Sequence, residues 1–167
     1  KELIDLFLDS MEMDLKDISY DQEKFEKYIL GSAEVVGLMC LRVFCEGDDE
    51  KYKKLKPPAM RLGSAFQKIN FLRDLHADFE GLGRSYFPGI DLSKFDDETK
   101  QKIEDDIALD FADGLEGIKM LPRGARFGVY MAYVYFHKLF LKIKRTRSSR
   151  IMKERIRIPN RTKYKLL

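Results

Sequence analysis

The chain has 167 residues, 44% of them hydrophobic and 35% charged, which is enough to bury a real core. No apolar run approaches the ~18 residues of a membrane span; the longest covers 129–136. The net charge of +3 hides an asymmetry, because residues 138–167 hold twelve Lys/Arg and a single acid, Glu154, leaving −8 on the remainder.

In chain order, residues 1–17 read as a short amphipathic helix with Leu3, Leu6, Phe7, Met11 and Met13 on its apolar side. It opens without a cap, and the chain reads as a piece of something longer. Residues 22–46 form a second helix, with Tyr28, Ser32, Val35, Val36, Met39 and Val43 on one face. Its first half is unusually small (Gly31, Ser32, Ala33, Gly37), which points to close helix approach or to room for a ligand. Cys40 and Cys45, five apart on this helix, point in different directions. That argues against a disulfide or zinc site and fits a reduced, cytoplasmic compartment. Residues 46–58 read as a charged loop that Pro57–Pro58 resets before a central helix over 63–88. Pro88-Gly89 ends that element, 89–96 is a connector, and Asp96 can cap a helix over 97–119. There Ile103, Ile107, Phe111, Leu115 and Ile118 recur at helical spacing, and Asp105, Asp106 and Asp110 read as the wet side. Pro122 starts an aromatic-rich helix over 122–148, and 149–167 is a basic tail. No strand or repeat is evident, so the expected class is all-α.

The central helix carries the chemistry. At about 100° per residue, Gln67, Asn70, Asp74 and Asp78 fall within one arc of about 80°. Asp74 and Asp78 are one turn apart, so their carboxylates are neighbours. Leu62, Ala65, Ile69, Leu72 and Phe79 gather on another side as the buried face. An all-oxygen surface of this kind suits a hard cation such as Mg²⁺ together with substrate phosphates. A solvated helix face is the alternative, since Asp5/Asp9, Asp17/Asp21 and Asp106/Asp110 share the spacing. His76 points away from this face. His137 reads as a packed or surface histidine, and Tyr28 by itself as a core tyrosine. The basic tail reads either as a solvated helix end or as a contact for phosphate, anionic lipid or nucleic acid.

Gln67, Asn70, Arg73, Asp74 and Asp78 followed by Gly83, Arg84, Tyr86 and Pro88 resemble the second aspartate-rich motif and the succeeding G-R-x-Y-x-P of the phytoene/squalene synthase family. Tyr28, Ala33, Val36 and Gly37 resemble its Y-x-x-x-x-A-G-x-V-G. The resemblance runs across most of residues 1–165. It implies an all-α, isoprenoid synthase-type helical bundle, here incomplete. It also implies Mg²⁺-dependent head-to-head condensation of two prenyl diphosphates, with geranylgeranyl diphosphate to phytoene, in carotenoid biosynthesis, as the expected case. By the motif, Asp74, Asp78 and Asn70 would hold Mg²⁺, while Gln67, Arg73, Arg84 and Tyr86 would bind substrate. Tyr28 would act beside Asp74 and Asp78 in catalysis. Prenyl diphosphates are the implied partners, nucleic acid is not, and the family allows peripheral contact with the inner face of a membrane. The sequence gives neither the oligomeric state nor the prenyl chain length.

Three departures stand out. Glu34 stands where the family has Gly, and either faces away from the cavity or finds a basic partner. Tyr86 lies one residue farther from Asp78 than is usual. The family's first aspartate-rich motif is missing, so the chain reads as the C-terminal part of the enzyme, with half of the metal site and no activity alone. A non-catalytic assembly factor of the same fold and a helical binding module with a basic tail are the rival readings.

Overall fold

A computed structural model describes residues 1–16, 20–82 and 85–159, with side chains left undescribed at 80–82. Among these residues there are helices and no strands. They are α1 (Glu2–Met13), α2 (Gln22–Ile29), a π turn (Leu30–Glu34), α3 (Val35–Phe44), α4 (Asp49–Leu82), α5 (Asp97–Met120), α6 (Arg123–Lys144) and a short α7 (Ser148–Ile151), with one 3₁₀ turn, Leu92–Lys94, before α5. The starts of α2 and α5 follow from their capping residues. Asp21 accepts from the Lys24 amide at 2.9 Å, and Asp96 accepts from the Thr99 amide at 2.8 Å. No described helix is long and apolar enough to cross a membrane.

The bundle is organised around α4, which packs on the π turn, α3, α5 and α6. α5 runs antiparallel to it. A Cβ at Gly117 would meet Pro58 and one at Gly114 would meet Leu62, whereas Asp110 meets Ser64 and Asp106 meets Lys68. α6 turns back along α5, placing Tyr133, His137 and Phe140 around Phe111 and Phe136 in a stack on Phe66, with centroids 4.1 Å apart. Ile69, Leu72, Ile107 and Ile143 are sealed completely in the core. Burying each of them is worth about 1.5–3 kcal/mol.

Four features of the sequence reading are corrected. The Pro57–Pro58 pair does not divide a loop from the central helix, because α4 begins at Asp49 and runs through both prolines. Tertiary contacts override the lost backbone bonds. Tyr52 and Leu55 are buried, Arg42 lies 3.6 Å over the Tyr52 ring and 2.5 Å from Asp49, and Pro58 fills the notch at Gly117. α4 is also described as helix only to Leu82, short of Pro88. Next, 22–46 is not one uniform helix. The π turn adds a residue to the winding, so Val35, Leu38 and Leu41 are buried while Val36 and Val43 are exposed. Third, Phe79 is 38% exposed rather than part of the buried face.

The fourth correction concerns the supposed wet side of α5. Asp105 is exposed, but Asp110 is only 2% exposed and accepts from Ser64 Oγ at 2.8 Å, Lys68 Nζ at 2.7 Å and Arg61 Nη1 at 3.2 Å. Asp106 shares the Lys68 ammonium at 2.5 Å. Burial alone would lower the Lys68 pKa, but the hydrogen bonds it donates to Asp106 and Asp110 hold it above the usual lysine range. The network locks α4 to α5 on the side of α4 opposite Phe66.

Candidate active site: an oxygen-lined face above an apolar cavity

Helical geometry strings Ala59, Gly63, Phe66, Gln67, Asn70, Asp74 and Asp78 along one side of α4, within an arc of about 120°. The first three line an apolar cavity of about 490 Å³ between α3, α4, α5 and α6. The last four form the oxygen face, and Asp74 lies about 12 Å along the axis from Phe66. α3 contributes Val36, Gly37 and Cys40 to the cavity, α5 contributes Gly114 and Gly117, and α6 contributes Gly124, Gly128 and Ala132. Gly37 allows this approach, because a Cβ there would press on the Ala59 carbonyl at 3.2 Å.

Within the oxygen face, the Asn70 amide donates to Gln67 Oε1 at 3.4 Å. Asn70 Oδ1 is buried and accepts no hydrogen bond among the described residues. Asp74 is held from two sides. Arg73 reaches its Oδ2 at 2.5 Å, and Arg155, from the segment after α7, reaches its Oδ1 at 2.5 Å and its Oδ2 at 3.3 Å. Asp78 follows one turn on and is half-buried. His76 is half-buried on another side of α4, and its Nδ1 is buried without a hydrogen-bond partner among the described residues.

The two tyrosines are brought together beside this face. Tyr28, Tyr20 and Tyr86 pack on one another with centroids 4.9–5.6 Å apart, and Tyr86 stacks on Phe71 of α4 at 4.2 Å. Tyr28 Oη donates to Asp14 Oδ2 at 3.2 Å, just past the end of α1. Burial, and then the Asp14 charge, push the Tyr28 hydroxyl far above the usual phenol range, so it stays protonated and serves as a donor. Arg84, with Gly83, lies outside the described residues.

Sequence reasoning assembled Gln67, Asn70, Arg73, Asp74 and Asp78 on one helix and missed two side chains that converge from elsewhere. Asp14 holds Tyr28 across fourteen residues, and Arg155 holds Asp74 across eighty-one. Neither carries a local signal, since Asp14 sits in an acidic stretch and Arg155 is one of many cations in the tail. The other aspartate pairs have ordinary uses. Asp5 and Asp9 are exposed, Asp21 caps α2 while Asp17 is not described, and Asp106/Asp110 hold Lys68. Glu34 does not line the cavity. Burial pushes its carboxyl up to about 7, with Asp110 adding to the rise and Arg61 and Lys68 opposing it.

The donor set suits a hard cation in part. Two carboxylates one turn apart and an amide oxygen with no partner are all-oxygen ligands of the kind Mg²⁺ takes alongside phosphates. No group of three or more His, Cys, Asp or Glu side chains that could hold a metal occurs among the described residues.

Residues 1–112 match the squalene/phytoene synthase family. The fold is similar to that of the crystal structure of squalene synthase HpnC from Alicyclobacillus acidocaldarius, with a TM-score of 0.72 at 22% identity. The match covers 86% of this chain and 59% of that enzyme, so the chain spans less than two thirds of its length. No curated protein sequence matches the chain.

Proposed function

The chain belongs to the squalene/phytoene synthase family, and on that premise we propose that its complete gene product condenses two prenyl diphosphates head to head, with geranylgeranyl diphosphate to phytoene as the leading case. The observation that carries this reading is the single stripe on α4 that passes from an apolar cavity to an oxygen face. An amphiphile with a hydrocarbon tail and a diphosphate head fits such a stripe end to end.

In this reading Asp74, Asp78 and the free oxygen of Asn70 hold Mg²⁺. When bound, Mg²⁺ supplies Lewis-acid charge for the departing diphosphate. Gln67 accepts from the Asn70 amide nitrogen, which leaves the buried Asn70 oxygen without a hydrogen bond among the described residues and available to the cation. Arg73 and Arg155 hold Asp74 in place from two sides, and their remaining N–H groups are available to phosphate oxygens. Tyr28 gives its one O–H to Asp14 and is thereby fixed beside the head group, where the Tyr86 hydroxyl packed on it would donate. In the complete gene product Leu41, Leu62, Phe66 and the other apolar walls of the cavity would keep water from the reacting carbons, where an allylic cation would otherwise be quenched.

The test is an assay of the complete gene product with Mg²⁺ and farnesyl or geranylgeranyl diphosphate, comparing wild type with Asp74→Ala. A C30 or C40 hydrocarbon that falls by at least a hundredfold in the variant is the expected result. A well-folded wild type that yields no hydrocarbon from either substrate overturns the proposal in favour of a non-catalytic role.

A further inference from the structure

Arg155 reaches Asp74 from a segment whose own sequence does little to hold it. α7 has four residues, too few for a helix to persist by itself. Its capping position is Arg147, whose side chain has no oxygen to accept from the free amides of the first turn. The acceptor comes instead from the first turn of α5, fifty-one residues earlier: Asp97 Oδ1 accepts from the Ser148 amide at 2.7 Å. That hydrogen bond holds the Asp97 carboxyl below the usual carboxylate range. One turn farther along α5, Lys100 donates to the Lys144 carbonyl at 3.4 Å, so the corner between α6 and α7 is fastened to α5 on both of its sides.

Beyond α7 the burial alternates. Ile156 and Ile158 are 3% and 6% exposed, whereas Arg155 and Arg157 are turned to solvent. A period of two belongs to an extended chain, in which a slip of one residue would put an isoleucine in the place of each arginine. Lys142 of α6 opposes such a slip, since its Nζ donates to the Arg157 carbonyl at 2.5 Å. Arg155 therefore lies between two tethers, Asp97 on Ser148 and Lys142 on Arg157. From that place it meets Asp74 Oδ1 at 2.5 Å.

Resting on the proposed function, we propose that Asp97 and Lys142 are positioning residues for the cation site: they set the register of residues 148–158 and so bring Arg155 to Asp74. Each acts through Arg155, which is the residue that touches the carboxylate. A misplacement of about 1 Å in a positioning group is enough to slow a reaction strongly.

The test uses the complete gene product with Asp97→Ala, Asp97→Asn and Lys142→Met, each alone and combined with Arg155→Gln. Two quantities are read: kcat/KM with the prenyl diphosphate that the wild type uses, and amide hydrogen exchange of residues 148–158 in the protein without metal or substrate. Asp97→Ala and Lys142→Met are expected to speed that exchange. Each is expected to lower kcat/KM at least fivefold alone, but less than twofold when Arg155→Gln is already present. Asp97→Asn keeps an acceptor oxygen and is expected to stay within twofold of wild type in both readouts. If Asp97→Ala fails to fold, Lys142→Met decides, because Lys142 is an exposed side chain. Equal losses of kcat/KM with and without Arg155→Gln overturn the assignment, since they show a scaffold effect that does not pass through Arg155. Unchanged exchange, or unchanged kcat/KM despite faster exchange, overturns it as well, and in all these cases the proposed function stands. A wild type that forms no hydrocarbon from farnesyl or geranylgeranyl diphosphate overturns the proposed function and this inference with it.

Discussion

Asp74 cannot bind a cation without sharing its charge, because both of its oxygens already face guanidinium groups. Arg73 is the neighbour the motif supplies, whereas Arg155 arrives from the far end of the chain and is 45% exposed at its side chain. An exposed pair of this sort adds less than about 1 kcal/mol to stability, so its place beside Asp74 is a matter of orientation. Arg155→Gln is expected to lower kcat/KM for prenyl diphosphates at least tenfold while urea unfolding of the same variant shifts by less than about 1 kcal/mol. Loss of stability in proportion to activity would assign Arg155 to the scaffold instead. Glu34 gives a pH signature of its own. Its carboxyl is raised from 4.5 to about 7 in the folded protein, chiefly by burial, so the folded state holds the proton more tightly than the unfolded one. The stability this confers is fully present below about pH 4.5 and is lost as pH rises through 7. Comparing urea unfolding at pH 5 and pH 8, wild type should lose about 1–2 kcal/mol more than Glu34→Gln, less than full conversion at about 1.4 kcal/mol per pH unit because solvent screens a half-buried group.

At the scale of elements, the legible features were those set by local spacing. The oxygen face of α4 follows from helical period alone, and the Asp96 cap of α5 from the residue type at its start. The misreadings share a cause: a local rule was outvoted by a partner distant in sequence. Pro57 and Pro58 signal a break, yet α4 continues through them, with Pro58 packed on Gly117 of α5 and Tyr52 buried. Aspartates at helical spacing signal a wetted face, yet Asp110 is buried because Lys68, forty-two residues earlier, meets it. The π turn, which rotates Val36 out of the core face, has no residue signature beyond small side chains. The Lys68–Asp110 pair also makes the α4–α5 contact testable. Lys68→Met leaves the Asp110 carboxylate buried with only Ser64 and the largely exposed Arg61, which should cost about 3 kcal/mol or more in urea unfolding. Lys68→Met combined with Asp110→Leu should recover most of that loss, because two apolar side chains of similar size leave no buried charge. A double variant as unstable as the single would show that the network does more than neutralise itself.

For the molecule as a whole, the proposed reaction demands two things that this chain supplies only in part. Ionisation of an allylic diphosphate needs enough cation charge at the head group. The oxygen face offers Asp74, Asp78 and Asn70, and no third acidic group joins them among the described residues. The family resemblance assigns the other carboxylates to an aspartate-rich motif that this sequence lacks. The reacting carbons must also be kept dry, yet Val36, Cys40, Gly124, Gly128 and Ala132, all on the cavity wall, are exposed here. Water therefore reaches the surface on which a cation would have to survive. Each shortfall alone would slow the reaction, and together they remove both the driving charge and the protection of the product. The 167-residue chain, supplied with Mg²⁺ and farnesyl or geranylgeranyl diphosphate, should form no C30 or C40 hydrocarbon under conditions where the complete gene product does. Product extraction after long incubation at high protein concentration is the measurement. Hydrocarbon formed by the chain alone would mean that Asp74, Asp78 and Asn70 suffice to bind the cation, and that the open cavity closes around its substrate.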